Sequence, residues 1–154
     1  MSKSMARVAG AIERSGLDAR IIEPGPSRTA EEAAAACGCE LDQIVKSLIF
    51  QGESGRIYLF LTAGGNRLDA ARASALAGET LGRADADTVR RETGFAIGGV
   101  APLGHLTAPR IFADRRLGAF AQVFAAAGTP RHVFAAEPQA LIAACGAEWA
   151  DFVA

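Results

Sequence analysis

Lysine is nearly absent from this chain: of sixteen basic residues only Lys3 and Lys46 are lysine, and the rest are arginine. Cysteine is also scarce. Cys37 and Cys39 sit two apart and Cys145 lies far away, which fits neither a disulfide framework nor a zinc ligand set. The two histidines, His105 and His132, form no HExxH or other metal spacing. Neither G-x-G-x-x-G nor G-x-x-x-x-G-K-[ST] occurs, which excludes the dinucleotide and P-loop fingerprints. No metal and no cofactor is expected.

Excess charge is missing as well. The net charge is −1 and the pI is near 6.1, so no basic field is available to coat duplex DNA through phosphate contacts. A partner held by a local basic patch remains open. No run approaches the roughly 20 apolar residues of a membrane span; "AFAQVFAAAG" is far too short. The first residues, "MSKSMARVAGAIERSG", are interrupted by Arg7, Glu13 and Arg14, unlike a secretory leader. A soluble cytoplasmic protein with reduced thiols, and with neither DNA nor membrane as partner, is expected.

Half of the 154 residues are hydrophobic, many of them alanine, so core bulk comes from Ile, Val, Leu and eight Phe. That length suits one domain over 1–154. Met5, Val8 and Ile12 repeat at helical spacing before Gly16, predicting a helix over 4–15. "ARIIE" at 19–23 reads as a strand. Thr29-Ala30-Glu31-Glu32 has capping-box form and opens a helix that ends at Gly38.

"IVKSLIF" (44–50) and "RIYLFLT" (56–62) read as an antiparallel hairpin. Asp69 caps a helix through 77, and "ADADTVRRE" before Gly94 makes another. Beyond lie strands near 110–113, 122–125 and 131–135 and a short helical piece near 116–121. A last helix opens at Glu137-Pro138 and ends at Gly146. Interleaved strands and helices predict a mixed, mainly antiparallel α/β domain.

Two stretches carry the candidate chemistry. Period-two alternation puts Lys46 on the same face as Ile44, Leu48 and Phe50, so one ammonium interrupts an apolar face. A lysine snorkelling from a strand end and an inward functional cation both fit. Farther on, "TGFAIGGVAPLGH" holds strand-like apolar residues broken by glycines and Pro102. A tight loop with no ligand fits. So does a loop whose Gly98 and Gly99 N–H groups meet a substrate oxygen, in the manner of an oxyanion hole.

The lysine inside "QIVKSLIF", the hydrophobic strand after it, and the later "TGFAIGGVAPLGH" together resemble the YbaK/ProX family of freestanding aminoacyl-tRNA deacylases. These are relatives of the editing domain inserted in bacterial prolyl-tRNA synthetase. The resemblance runs from "SRTAEEAA" through "RIFADRRL" to "AGTPRHVFAAEPQAL". It implies a strongly curved, barrel-like mixed sheet flanked by helices. It also implies hydrolysis of the ester linking a small amino acid (Ser, Thr, Ala or Cys) to the wrong tRNA.

By the same resemblance Lys46 is essential, and the loop from Gly98 to Pro102 shapes the aminoacyl pocket with Gly99, Val100 and Ala101. Ser47, Phe50, Leu103, Gly104, His105, Asp114 and His132 are further candidates for the substrate site. His132 stands near a pocket position where some relatives place histidine, though a plain strand histidine fits equally. His105 also fits as the end of the loop, and Asp114 fits as a turn carboxylate or as a group that orients Lys46 or the loop. The partner would be a tRNA acceptor end bearing an aminoacyl-adenosine, alongside prolyl-tRNA synthetase or another synthetase. Arg110, Arg115 and Arg116 form a basic cluster for tRNA phosphates, or a solvated arginine face. Water or a tRNA hydroxyl would attack, since no Ser-His-Asp set is apparent and Ser47 points to the strand face opposite Lys46. Two departures bear on specificity. Ser47 stands where some branches, including the one that removes alanine from proline tRNA, have Asn, and Ala101 where many have Ser or Thr. A non-catalytic module that holds a tRNA end or nucleotide, and a hydrolase of another small ester or amide, are the rivals.

Overall fold

A computed structural model describes residues 2–154. Helices are α1 Lys3–Ser15, α2 Ala30–Cys37, α3 Ala70–Ala77, α4 Ala86–Thr93 and α5 Pro138–Cys145. Strands are β1 Arg20–Ile22, β2 Ile44–Gly52, β3 Ile57–Ala63, β4 Leu81–Arg83, β5 Arg110–Asp114, β6 Val123–Ala126, β7 Val133–Ala136 and β8 Glu148–Ala150. The caps explain the helix limits. Ser2, Thr29, Asp69, Asp85 and Glu137 each accept a backbone N–H in the first turn, and a glycine in the left-handed region ends every helix.

The sheet runs β1-β7-β6-β2-β3-β5-β8, with β4 added to β2. Four pairings are antiparallel, among them the β2–β3 hairpin; β2–β6, β3–β5 and β5–β8 are parallel. The mixed α/β architecture is the one expected, but the sheet is open: β1 and β8 end its path and do not meet. The short β4 and β8 lack the alternating apolar run that marks a strand in sequence. The piece near 116–121 is a 3-10 turn at Arg115–Ala119.

Alternation along the central strands divides the core. Val45, Ile49, Leu59, Leu61 and Ile111 face α1, α4 and α5, meeting Val8, Ile12, Val89 and Leu141. On the other face Phe50, Tyr58, Phe60, Phe112 and Phe152 pack under Ala73 of α3. Toward the far end of β2 the same face changes occupant, and Ile44 and Phe124 meet Ala34 of α2. β3 is buried at every residue, as a strand covered on both faces must be.

Candidate active site

The site begins as a gap in the sheet. One edge of β2 pairs with β3 along its length. The other edge meets β6 only at Ile44 and Val45, and β4 only from Phe50 to Gly52. Lys46, Ser47 and Leu48 therefore have no strand neighbour on that side. A cavity of about 330 Å³ opens there. Its walls are Lys46, Ser47 and Leu48, the segment Ser27–Ala30 leading into α2, Phe124–Ala126 of β6, the turn residues Thr129 and Pro130, His132 and Val133, and Gly98 and Val100.

Lys46 is held at the cavity wall by a chain of polar contacts. Its Nζ donates to the Asn66 carbonyl at 2.6 Å, and Asn66 Nδ2 donates to Asp114 Oδ2 at 2.8 Å. Asp114 is 3% exposed. The same Oδ2 accepts from the Ala63 N–H at 3.0 Å, and Oδ1 accepts from the Arg116 N–H at 3.0 Å. Burial pulls the Lys46 pKa below the ordinary lysine value. Glu31, Asp114 and Asp42 act against that, and Arg67 adds to it. The result is a partly desolvated ammonium, a strong local field beside an apolar wall.

The glycine loop approaches backbone. A side chain at Gly99 would place Cβ 2.9 Å from the Thr129 Cα and 3.0 Å from its nitrogen, so only glycine lets the two segments touch. Gly98 has φ of 92°, in the left-handed region, and turns the chain toward the cavity. The Gly99 N–H donates to the Ala96 carbonyl at 3.0 Å and is engaged in that turn. The N–H groups of Gly98 and Val100 make no hydrogen bond among the described residues, and both residues line the cavity. Of the two N–H groups expected as donors, that of Gly99 is engaged within the turn and that of Gly98 is not.

Behind the loop a second set of contacts fixes it. His105 Nε2 lies 2.6 Å from the Ala101 carbonyl. A carbonyl only accepts, so Nε2 carries the proton and Nδ1 is a bare acceptor, buried without a partner. Burial, with a contribution from Arg7 and against the bond to Ala101, holds the His105 pKa below the usual histidine range. The ring meets the Phe95 ring edge-on at 5.2 Å. Arg7 of α1 stacks over Phe95 and donates to the carbonyls of Gly94 at 2.7 Å and Gly104 at 3.1 Å.

The expected site residues thus separate. Lys46, Ser47, Gly98, Val100 and His132 meet at the cavity. Pro102, Leu103, Gly104 and His105 border a different hollow, of about 280 Å³, with Arg14 and Cys145. Ala101 is fully buried. Phe50 belongs to the aromatic cluster. Asp114 lies below the Lys46 tether and not in the cavity wall. Arg110, Arg115 and Arg116 pair with Glu148, Asp151 and Asp42, and none of them lines the cavity.

Other lining residues were not among those expected. Thr129 Oγ1 bonds His132 Nδ1 at 2.6 Å, and Glu23 lies 3.3 Å from His132 Nε2. Arg28, one residue before the α2 cap, is exposed at the rim and makes no ion pair among the described residues. The capping box signalled this entry to α2, but nothing in the pattern tied it to the lysine. Burial pushes the Cys145 thiol up to about 11, far from a reactive thiolate. Among the described residues no cluster of three or more His, Cys, Asp or Glu can hold a metal, and no helix is long and apolar enough to cross a membrane.

Comparison with known proteins agrees with this geometry. The model of the aminoacyl-tRNA editing domain family matches residues 24–144. The uncharacterized protein YwhH of Bacillus subtilis is 33% identical over 115 residues, covering 75% of this chain and 73% of its own. A crystal structure of a candidate trans-editing enzyme for prolyl-tRNA synthetase is 48% identical, with a TM-score of 0.93 over 100% of this chain and 99% of that one. The hypothetical protein APE2540 superposes with a TM-score of 0.89 at 32% identity, over 96% of this chain and 99% of that one. The matched segment contains Lys46, the glycine loop and His132, and the chain belongs to the aminoacyl-tRNA editing domain family, the YbaK-type deacylases.

Proposed function

We propose that the protein hydrolyses, in trans, the ester of a tRNA mischarged with a small amino acid, drawn from Ser, Thr, Ala and Cys. The tRNA body proposed is that of proline, by analogy with the relative described as a trans-editing enzyme for prolyl-tRNA synthetase. The observation that carries the reading is the meeting of an inward lysine with two unengaged N–H groups at a break in the sheet. Its volume of about 330 Å³ lies in the range of small-ligand sites.

In this reading the ester carbonyl oxygen points at the N–H groups of Gly98 and Val100. Water attacks the carbonyl carbon, and negative charge gathers on that oxygen, where preorganised donors stabilise it. The bond to the ribose oxygen then breaks, and that oxygen leaves with a proton as the tRNA hydroxyl. Lys46 supplies positive charge to the ribose or the adjoining phosphate. The carbonyl of Ser47 also faces the gap, because Ile49 two residues on uses that edge to accept from the Ala84 N–H. It is the acceptor for the amino acid's ammonium.

Deacylation of proline tRNA charged with each small amino acid, by wild type and Lys46→Ala, tests the reading. Hydrolysis abolished by the substitution is the expected result. Hydrolysis that survives it overturns the role of Lys46. Binding of tRNA with no hydrolysis makes the protein a binding module. Activity on simple amino-acid esters that ignores added salt makes tRNA the wrong substrate.

A further inference from the structure

The hollow behind the glycine loop has no part in the chemistry above. Its volume of about 280 Å³ is close to the lower end of the range of small-ligand sites. It shares no lining residue with the cavity at Lys46. Ala11 and Arg14 of α1 form one wall, loop residues 102–105 another, and the lead into β5 together with the end of α5 the rest.

Charge in this hollow is one-sided. Arg14 is exposed and is the only Arg, Lys, Asp or Glu in the lining, and it makes no ion pair or hydrogen bond among the described residues. Its guanidinium folds back along α1, where a Cβ at Gly10 would stand 2.9 Å from Arg14 Nη1. Glycine is unfavourable inside a helix, and at position 10 it leaves the guanidinium that room. The two other titratable groups stay neutral: burial holds the His105 pKa below the usual histidine range and pushes the Cys145 thiol up to about 11. What remains is aliphatic side chain and loop backbone, in which the N–H groups of Leu103, Gly104 and His105 make no hydrogen bond among the described residues.

We infer that this hollow binds a small organic carboxylate, with its charged end on Arg14 and its apolar body against Leu103, Pro109 and Ile111. A guanidinium matches a carboxylate with two parallel hydrogen bonds. With no acidic side chain in the lining, an ammonium has no ionic partner, so a plain carboxylate fits better than a zwitterionic amino acid. An inorganic anion leaves the aliphatic walls unused. The occupant touches loop residues 102–105, whose neighbour Ala101 is fully buried and accepts from His105 Nε2 at 2.6 Å. Gly98 and Val100 of the same loop line the catalytic cavity. A ligand that braces residues 102–105 favours the loop conformation that puts them there, and so raises catalysis. This coupling rests on the deacylase reading above; the binding does not.

Amide NMR of the isotopically labelled protein, titrated with benzoate, benzamide and inorganic phosphate, tests the binding. Benzoate is expected to shift the Ala11, Leu103, Gly104 and His105 signals saturably. It should bind at least about tenfold more tightly than benzamide or phosphate, the scale of a charge-assisted hydrogen bond, and Arg14→Gln should remove that advantage. The comparison of benzoate with benzamide needs no variant to fold. No saturable shift at about 10 mM benzoate, ten times a weak Kd of about 1 mM, overturns the inference. So do equal affinities for benzoate and benzamide, an unchanged benzoate affinity in Arg14→Gln, or shifts confined to Lys46, Ser47 and Val100. Saturating benzoate is expected to raise kcat/KM for mischarged proline tRNA about fivefold in wild type and not in Arg14→Gln. A rate unchanged or lowered while binding holds overturns the coupling alone. Absence of hydrolysis of every mischarged tRNA overturns the deacylase reading, and the coupling with it, while the binding stands on its own titration.

Discussion

Phe50 and Lys46 lie four residues apart on one face of the same strand, yet in opposite surroundings. At Phe50 both edges of β2 are paired, and the ring meets Phe60 edge-on at 5.7 Å in a cluster that Phe112 and Phe152 complete. At Lys46 one edge is open, and the neighbours are a carbonyl, an amide and carboxylates. One end of the strand is organised for packing and the other for an exposed, charged opening. Substitutions at the two ends should therefore fail in different ways. Lys46→Ala is expected to lower kcat/KM by at least about a hundredfold. The melting temperature should hold or rise, because burial disfavours the ammonium in the folded state and its removal relieves that cost. Phe60→Ala is expected to lose about 3–5 kcal/mol of stability, with the remaining folded protein still active. Thermal unfolding measured beside single-turnover hydrolysis separates the two, and a Lys46→Ala protein that is both inactive and unstable would erase the contrast.

The contrast sharpens at the tether. Asn66→Ala keeps the main-chain carbonyl that receives Lys46 but frees the turn from Asp114. The expected result is a fall of about tenfold in kcat with KM within about twofold, since the ammonium is misaimed rather than lost. Asp114→Asn should do the same and also cost stability, because an amide has one acceptor oxygen where three donors converge. Equal losses in KM and kcat would mean that Asp114 meets substrate directly.

Much of this organisation was legible in the sequence, for physical reasons. Capping residues and terminal glycines marked the five helices, and alternation placed Lys46 on the inward face of β2. The glycines and Pro102 marked a loop that approaches other backbone. What stayed hidden depends on contacts between distant segments. Gly99 looked equivalent to Gly98 until the Ala96 carbonyl took its N–H. Asp114 read as a turn carboxylate or as a group that orients Lys46 or the loop, and nothing local names the Asn66 amide as its partner. The arginines near β5 read as a cluster because their carboxylate partners lie elsewhere in the chain. The gap in the sheet arises from three-residue β4 and four-residue β6, too short to leave a pattern.

The loop offers a smaller effect with a pH signature. His105 binds a proton less readily in the folded state, chiefly because it is buried. As pH falls below about 6.5 the unfolded chain takes up that proton first, so stability present at neutral pH is lost on acidification. His105→Gln keeps a donor for the Ala101 carbonyl and removes the titration. It should flatten this part of the stability profile and retain kcat within about twofold. His105→Leu should lower kcat about fivefold through the unpaired carbonyl. A Gln variant as impaired as Leu would show that the ring, not its donor, holds the loop.

The smallest effects distinguish arginines at the rim from arginines elsewhere. Arg110 and Arg115 each face a carboxylate in an exposed pair, and such pairs contribute little. Alanine at either position should change kcat/KM by less than about twofold. Arg28 makes no ion pair among the described residues and sits at the cavity mouth, where a terminal phosphate would pass. Arg28→Ala should raise KM about threefold and lower the salt dependence of binding by about one phosphate contact. The slope against salt is the decisive quantity, because a lost packing contact raises KM without changing it. An unaltered slope for Arg28→Ala, with a reduced one for Arg115→Ala, would move the tRNA path from the α2 side of the cavity to the β5 side.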